Sequence, residues 1–477
     1  MSKILTLSLG LFLAVSLQAQ EPWSLKRCID HAFANNISIK QSELQLELNA
    51  VNKLQNFGTM LPSLNASASH GYNWGQTIDP FTNQFASERI RSNSLGLSTR
   101  LTIFNGFQNL NRYKQSTQDF EAQKQNLLRM QNDIALNVAN TYLNVLFQEE
   151  FLKIAQSNLQ STEQQLDRIQ KLVEVGAAPE GDLLDIQAQY SSDQASVITA
   201  ENNRNLAYLS LRQLILVPSE EAGSFSIVAP DLGDLGTLTL PGSAETATNM
   251  AVNSFPEIKS AEASVASAQT GVQIAKGGMS PNLSASYSYG SGYSGATSVP
   301  QGELVPAGTI PIGFVEGSGD LVVTQDFTYT DGFETKAFND QIRDNVNSSL
   351  FFSLSIPIFN GFSTHGNMQR AQINMETAEL NLEQAKLTLT QNVESAYADA
   401  LAALNNYRAA ELSVSAAEKA MEYATVRFEE GASTIVEFTA SRVRLDNARA
   451  DLIRNKYDYL FRVKVVEFYM GQPITLR

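Results

Sequence analysis

Apolar residues along this chain follow two different periods. Over 63–74, Leu64, Ala66, Ala68, Tyr72 and Trp74 alternate with Ser63, Asn65, Ser67, Ser69, Gly71 and Asn73. Over 94–104, Leu95, Leu97, Leu101 and Ile103 alternate with Ser94, Gly96, Ser98, Arg100 and Thr102. The pattern returns over 282–293 (Leu283, Ala285, Tyr287, Tyr289) and over 348–359 (Leu350, Phe352, Leu354, Ile356, Ile358). A period of two predicts strands with one apolar and one polar face. About ten residues is the length a tilted strand needs to cross an outer membrane, although strands of a soluble sandwich alternate in the same way. The aromatics favour the membrane. Tyr72, Trp74, Tyr289 and Tyr293 gather toward one end of these segments and Phe104, Phe107, Phe359 and Phe362 toward the other, as two interfacial girdles would.

The rest of the chain reads as helix. Residues 108–175 contain no Gly or Pro, nor do 367–430, so each predicts a rod roughly 100 Å long at about 1.5 Å per residue. Shorter helices are expected over 24–57, 182–217, 244–276 and 432–470, and pairs of them match the long rods in length, as if stacked end to end beside them. Rods of this length cannot bury themselves in a globule and must pack laterally as a coiled-coil-like wall.

The order of these elements is duplicated. Ile103-Phe104-Asn105-Gly106-Phe107 recurs 255 positions later as Ile358-Phe359-Asn360-Gly361-Phe362, and Gly176-Ala177 recurs as Gly431-Ala432. Upstream the offset is 219: Ile39-Lys40 matches Ile258-Lys259, and Pro62-Ser63-Leu64 matches Pro281-Asn282-Leu283. The expected organisation is a leader at 1–20, a first repeat at 21–217, a linker at 218–243 and a second repeat at 244–477. The mismatch of offsets marks an insertion in the second repeat, read as an extended Gly/Pro/Ser/Thr-rich loop over 294–347. The fold class is an α+β membrane protein, a tandem strand-strand-long-helix unit. Four strands cannot close a barrel, and open edges are forbidden in lipid, so several copies must close it.

Composition narrows the chemistry. The formal charge is -15, with 34 Lys+Arg against 49 Asp+Glu and no basic cluster, which excludes nucleic acid as a main partner. One cysteine, Cys28, excludes a disulfide framework and multi-Cys metal sites; among Leu25, Ile29 and Ala32 it reads as a core residue. His31, His70 and His365 share no ligand spacing, so no metal, cofactor or catalytic site is expected. Gly290 to Gly295 satisfies GxGxxG but precedes a loop instead of a helix, and the phosphate-binding context fails. Lys3, the apolar run that follows and Gln18-Ala19-Gln20 read as an export leader; without it the charge is -16, since Lys3 is its one charged residue. No later stretch is apolar enough for a spanning helix.

These residues resemble the TolC-like outer-membrane efflux family over essentially the whole mature chain. The resemblance rests on the duplicated order of elements, on Pro357-Ile358-Phe359-Asn360-Gly361 and on the turns Val175-Gly176 and Glu430-Gly431. It implies a homotrimer in which four strands from each protomer make one 12-stranded barrel in outer-membrane lipid, continued by a helical tunnel across the periplasm. It also implies a periplasmic adaptor (membrane fusion) protein and an inner-membrane pump as partners. Thr102 stands where the second copy has Pro357, so that proline is not needed at both barrel exits.

Asn105-Gly106 and Asn360-Gly361 supply residues able to take positive φ where strand passes to helix. Gly176 and Gly431 end the long helices. By the resemblance, Gly176, Ala177, Gly431 and Ala432 become adaptor-docking candidates; a purely structural role in the turn is the other reading. Asp182 matches Glu437, and Asp185 matches Ala440, which departs from the family's acid. Asp182 and Asp185, three apart, share a helix face, and symmetry would ring them with Glu437 at the tunnel's narrow end, where such rings bind cations. The same acids also suit a solvated helix N-terminus.

The leading function is a passive export duct without enzymatic activity, carrying small molecules or polypeptides with energy from the pump. The alternative is a periplasmic coiled-coil scaffold with no pore, and an autonomous porin is disfavoured by the length of the helices. Leu354→Asp separates duct from scaffold: it should block membrane assembly if that face meets lipid.

Overall fold

The computed structural model describes residues 22–75, 77–79, 81, 83, 85–86, 89–220, 223–229 and 240–474. The expected leader and much of the expected linker lie outside the described residues. The chain clusters into two compact units. One is helical (described residues to Val51, Gln118–Ala266 and Glu376 onward), and the other carries the sheet (Asn52–Thr117 and Ser267–Met375).

The helices repeat at the two offsets. In the first copy they are α1 (Leu25–Asn35), α2 (Ile37–Gly58), α3 (Gln108–Glu174) and α4 (Glu180–Ile215). In the second copy α5 (Ala244–Ser254) and α6 (Pro256–Gly277) stand 219 positions later; α8 (Ser363–Glu429) and α9 (Ile435–Tyr469) begin 255 positions later. The single helices expected over 24–57 and 244–276 are each broken once, at equivalent residues. Asn36 is extended, and its Oδ1 accepts from the backbone N–H of Ser38 (2.9 Å) and Ile39 (3.4 Å), so it caps a new helix. Phe255 precedes Pro256, whose ring drives the preceding residue out of the α region and opens a new first turn. Both copies start alike: Ser24 accepts from Arg27 N–H and Ser243 from Thr246 N–H, each at 3.2 Å.

The core of the helical unit gathers around Tyr142, Leu146, Leu211, Tyr459 and Val463. Tyr142 Oη lies 3.1 Å from the carbonyl of Trp23 and 2.5 Å from that of Val228, where Trp23 and Ile227 form a short parallel bridge. Burial pushes the Tyr142 hydroxyl up, and it pushes the Cys28 thiol up to about 12. Cys28 is therefore a protonated packing group.

In the sheet unit, β1 (Ser63–Asn73), β4 (Ile90–Phe104), β5 (Asn282–Ser294) and β10 (Asn347–Ser355) form one antiparallel sheet in that order. β10 ends at Ser355, short of the expected 359, because Pro357 has no N–H to give. β4, with Thr102 there, continues to Phe104 past an irregularity after Thr102. Two residues each of β2 (Thr77–Ile78) and β3 (Phe85–Ala86) pair between β1 and β4.

The insertion is not an irregular loop. β6 (Ser298–Pro300) pairs with β9 (Phe333–Thr335), and β7 (Leu304–Phe314) pairs with β8 (Leu321–Tyr329). α7 (Phe338–Asp344) follows and packs against β5. Val322, Val323 and Thr324 supply a β-branched run, and Gly317 and Gly319 adopt positive φ at the reversal.

Candidate channel wall and hairpin ends

Antiparallel partners share a face, so register sorts the sheet into two surfaces. One carries the rows Asn65–Ser98–Ser288–Ser349, Ser67–Gly96–Gly290–Asn347 and Ser63–Arg100–Ser286–Phe351. The other carries Ala66–Leu97–Tyr289, Leu64–Thr99–Tyr287–Leu350 and Leu101–Ala285–Phe352. Ser288 and Ser349 hydroxyls are 2.7 Å apart across the polar face. Phe351 is the aromatic that interrupts this serine surface.

The expected aromatic grouping changes in part. Tyr72 and Trp74 are exposed at the end of β1, but Tyr289 lies opposite Leu97, at the middle of β4. Tyr293 is only 7% exposed, between Phe338 (5.4 Å) and the Arg91 guanidinium (4.5 Å). At the other end, Phe104 and Phe107 pack edge-on at 5.3 Å, and Phe359 and Phe362 repeat the contact at 5.6 Å.

The GxGxxG stretch belongs to β5 and its exit. A Cβ at Gly292 would lie 2.0 Å from the Phe81 ring, and one at Gly290 3.0 Å from Leu95 O. Those glycines serve close packing. Beyond them, the fully buried Gln341 of α7 holds Ser294: Nε2 donates to Ser294 O and Oε1 accepts from Ser294 N–H, both at 2.9 Å. Ser294 Oγ in turn donates to the buried Asp79.

At the strand-to-helix exits the left-handed residues are Gly106 and Phe107, then Gly361 and Phe362, with φ between 60° and 66°. Asn105 and Asn360 are not left-handed. Each instead puts its side chain over the incoming helix: Asn105 Oδ1 accepts from Asn109 N–H at 3.4 Å, and Asn360 Oδ1 from Thr364 N–H at 3.5 Å. The Asn caps, and the Gly turns.

Both hairpin ends are Schellman closures. Ala177 N–H donates to Leu172 O and Ala432 N–H to Arg427 O, both at 2.7 Å, around Gly176 (φ 75°) and Gly431 (φ 70°). A Cβ at either glycine would meet nothing within 4 Å, so backbone conformation is what selects glycine here. Behind the ends, Ile169, Ile186, Ile435 and Phe438 join α3, α4 and α9, with Phe438 against Phe428 at 4.9 Å.

Asp182 and Asp185 lie in the first turns of α4, half-buried and exposed respectively; Glu437 is exposed in the first turn of α9. Among the described residues, no hydrogen bond or ion pair joins Glu437 to either aspartate. Glu437 faces Arg427 at 3.5 Å, and Arg427 also donates to Ala432 O at 3.3 Å. Thr434 Oγ1 caps α9 by accepting from Glu437 N–H at 3.2 Å.

Deeper in the helical unit is a charged cluster that the sequence reading did not single out. Arg442 Nη2 donates to Asp193 Oδ2 at 2.6 Å and to Asn158 O at 3.1 Å. Gln189 Nε2 donates to Asp193 Oδ1 at 2.8 Å, and Thr162 Oγ1 donates to Oδ2. Arg442 is 6% and Asp193 8% exposed. Their spacing carried the signal: Ile186, Asp193, Ala200 and Ala207 recur every seven residues on the buried side of α4, and Arg442 sits in the buried series Phe438, Arg442, Leu445 of α9.

Asp446 lies 3.7 Å from Arg442, and burial pushes its carboxyl up against the pull of Arg442. A carboxyl raised in the folded chain favours folding most below its unfolded pKa, and that advantage is lost as pH rises through the folded value. Asp446→Asn is therefore expected to raise the urea midpoint of the helical signal at neutral pH. The gain should shrink as pH falls through the raised pKa; a gain constant with pH would show that ionisation is not its source.

The sequence profile of the outer membrane efflux protein family matches residues 28–215 and 247–472. Outer membrane protein TolC of Escherichia coli is 22% identical over 480 residues, covering 99% of this chain and 87% of that protein. The alkaline protease secretion protein AprF of Pseudomonas aeruginosa is 21% identical over 419 residues, covering 86% and 77%. The crystal structure of the Campylobacter jejuni CmeC outer membrane channel superposes with a TM-score of 0.74 at 18% identity, covering 95% and 86%. The duplicated helices and the two-faced sheet stand in a chain that belongs to the outer membrane efflux protein family, an outer-membrane channel for efflux or secretion.

Proposed function

We propose that three copies of this chain close a 12-stranded barrel and act as a passive duct, without catalysis, for small molecules or polypeptides. The observation that carries this reading is the four-stranded sheet, with a serine-lined face, an apolar face and two edges, β1 and β10, that pair with no further strand among the described residues. The serine face lines water, the apolar face meets outer-membrane lipid, and the coiled-coil-like helices continue the duct through the periplasm. The hairpin ends Gly176, Ala177, Gly431 and Ala432 dock a periplasmic adaptor protein, which joins the duct to an inner-membrane pump that supplies the energy. Exposed reversals with nothing packed on their glycines support that role.

Full-length protein added to a planar bilayer should give discrete single-channel steps with cation preference. A flat baseline would favour a scaffold without a pore. Within this reading Asp182, Asp185 and Glu437 ring the narrow end, Glu437 being released from Arg427 when the ring binds a cation. Asp182→Ala/Asp185→Ala/Glu437→Ala is expected to raise conductance or weaken block by divalent cations. Unchanged conductance and selectivity would remove the ring.

A further inference from the structure

The insertion carries a ribbon with one bare face and one open edge. It leaves β5 at Ser294, the end of the strand opposite the one that α6 feeds. On the duct reading, which puts the helices in the periplasm, that end lies outside the cell. β7 and β8 pair with each other and with no third strand among the described residues. A two-stranded ribbon is marginal in water until a third strand or a packed face completes it. Phe314 opposite Leu321 and Pro311 opposite Val323 lie on one side of this ribbon, and all four are exposed.

The two edges differ. Val315 N–H donates to Asp320 O at 2.8 Å and Thr330 N–H to Glu303 O at 3.0 Å. Even-numbered residues of β8 therefore bond to β7, and the odd-numbered ones, from Leu321 to Tyr329, turn N–H and C=O outward. On β7 the outward positions include Pro306, opposite Phe327, and Pro311, opposite Val323. Neither has an N–H to give, and prolines so placed block an edge. β8 has no proline. Asp326 Oδ1 takes the N–H of Phe327 at 2.9 Å, which leaves the edge open over Leu321, Val323 and Gln325.

Charge selects what adds to it. Residues 298–335 hold six acids and no Lys or Arg. Asp320 and Asp326 flank the open segment, on the face opposite that of Leu321 and Val323. The next bases along the chain, Lys336 and Arg343, are already paired with Asp344 and Asp340.

We infer that β8 takes up an extended basic segment of a polypeptide outside the cell as a third antiparallel strand over Leu321–Gln325. Main-chain bonds hold such a strand, and its alternate side chains select it. Residues opposite Leu321, Val323 and Gln325 share the apolar face and are apolar. Those opposite Asp320 and Asp326 share the acidic face and are Lys or Arg. The same six carboxylates disfavour an anionic lipid surface as the cover.

The test is fluorescence anisotropy of a labelled peptide, Lys-Val-Thr-Val-Thr-Val-Lys, titrated with full-length protein in detergent. Saturable binding is expected. Asp320→Asn/Asp326→Asn should weaken it about fivefold, and by less in high salt. Val323→Pro removes an outward N–H and no bond inside the ribbon, and it should abolish binding. N-methylation of the peptide's central valine, which faces Val323, should do the same with wild-type protein. Binding that survives both changes overturns strand addition, and equal binding of the peptide with Glu for Lys overturns the charge selection. Absence of saturable binding overturns the whole proposal. Quenching of a fluorophore at Phe314→Cys (in Cys28→Ser protein) by brominated lipid would then assign the bare face to the outer leaflet. The titration does not depend on the duct reading, so a flat bilayer baseline and a failed titration are separate failures.

Discussion

Arg442→Met is expected to cost the helical unit about 3–5 kcal/mol, the usual consequence of removing one partner from a buried ion pair. The guanidinium is the one cation bonded to Asp193 among the described residues, at 2.6 Å. Without it the carboxylate keeps the Thr162 hydroxyl and the Gln189 amide but remains buried and charged. The Asn158 carbonyl also loses a donor. Urea unfolding followed by helical circular dichroism should show an earlier transition, and limited proteolysis should open first around 158–193 and 438–446. Asp193→Leu/Arg442→Met, which removes both charges, should recover most of the loss, because the penalty comes from the orphaned charge and not from the missing pair. A midpoint for Arg442→Met equal to wild type would mean that water reaches the cluster.

How far this cluster was legible depends on which sequence signal is followed. The helical wall follows from length and the absence of breakers: a stretch from 108 to 175 without Gly or Pro becomes a 67-residue helix. The breaks at Asn36 and Phe255 were less visible. Pro256 marks one of them openly, but Asn36 breaks its helix through a side-chain cap that competes with helix only weakly in a single sequence. The cluster shows in the heptad of α4, where Asp193 occupies the place that Ile186 and Ala200 hold. Comparing the copies sharpens it: at the 255 offset Asp193 becomes Ala448, Arg442 corresponds to Gln187, and Thr162 becomes Ala417. The ion pair occupies one of two related positions, so the duplication alone would not predict it.

The sheet was legible wherever alternation is strict, and less so where single residues decide. Pro357 trims β10 by four residues against the expected 359. The insertion failed to read as hairpins because its Gly and Pro content outweighed the short β-branched run at 322–324, and because β7 carries irregularities at Pro306 and Pro311. Tyr293 failed as a girdle residue because α7, which the sequence did not reveal, covers it. For the hairpin acids the sequence supplied position but not partners: Arg427 opposite Glu437 comes from the fold of the hairpin.

Leu97→Arg is expected to abolish assembly into the outer membrane, at a cost of about 2–4 kcal/mol for a cation near the middle of a lipid-facing strand. Leu97 is the central residue of β4, opposite Ala66 on one side and Tyr289 on the other, and it is 46% exposed although wholly apolar. Exposure of that kind, flanked by Ala66 and Tyr289, needs a non-aqueous neighbour. Ser98→Arg, one residue on, is expected to assemble normally. Ser98 projects to the opposite face, between Asn65 and Ser288, where Arg100 already stands two residues away and is exposed. Leu354→Asp tests the same face more gently, because Leu354 is one residue from the end of β10, where the depth-dependent cost falls. Heat-modifiable oligomer in outer-membrane fractions measures all three. Assembly of Leu97→Arg at wild-type level would show that the apolar face meets something other than lipid, whereas failure of Ser98→Arg would remove the water-filled lumen from the serine face. Each outcome bears on one face of the sheet, because a strand separates neighbouring side chains onto opposite sides.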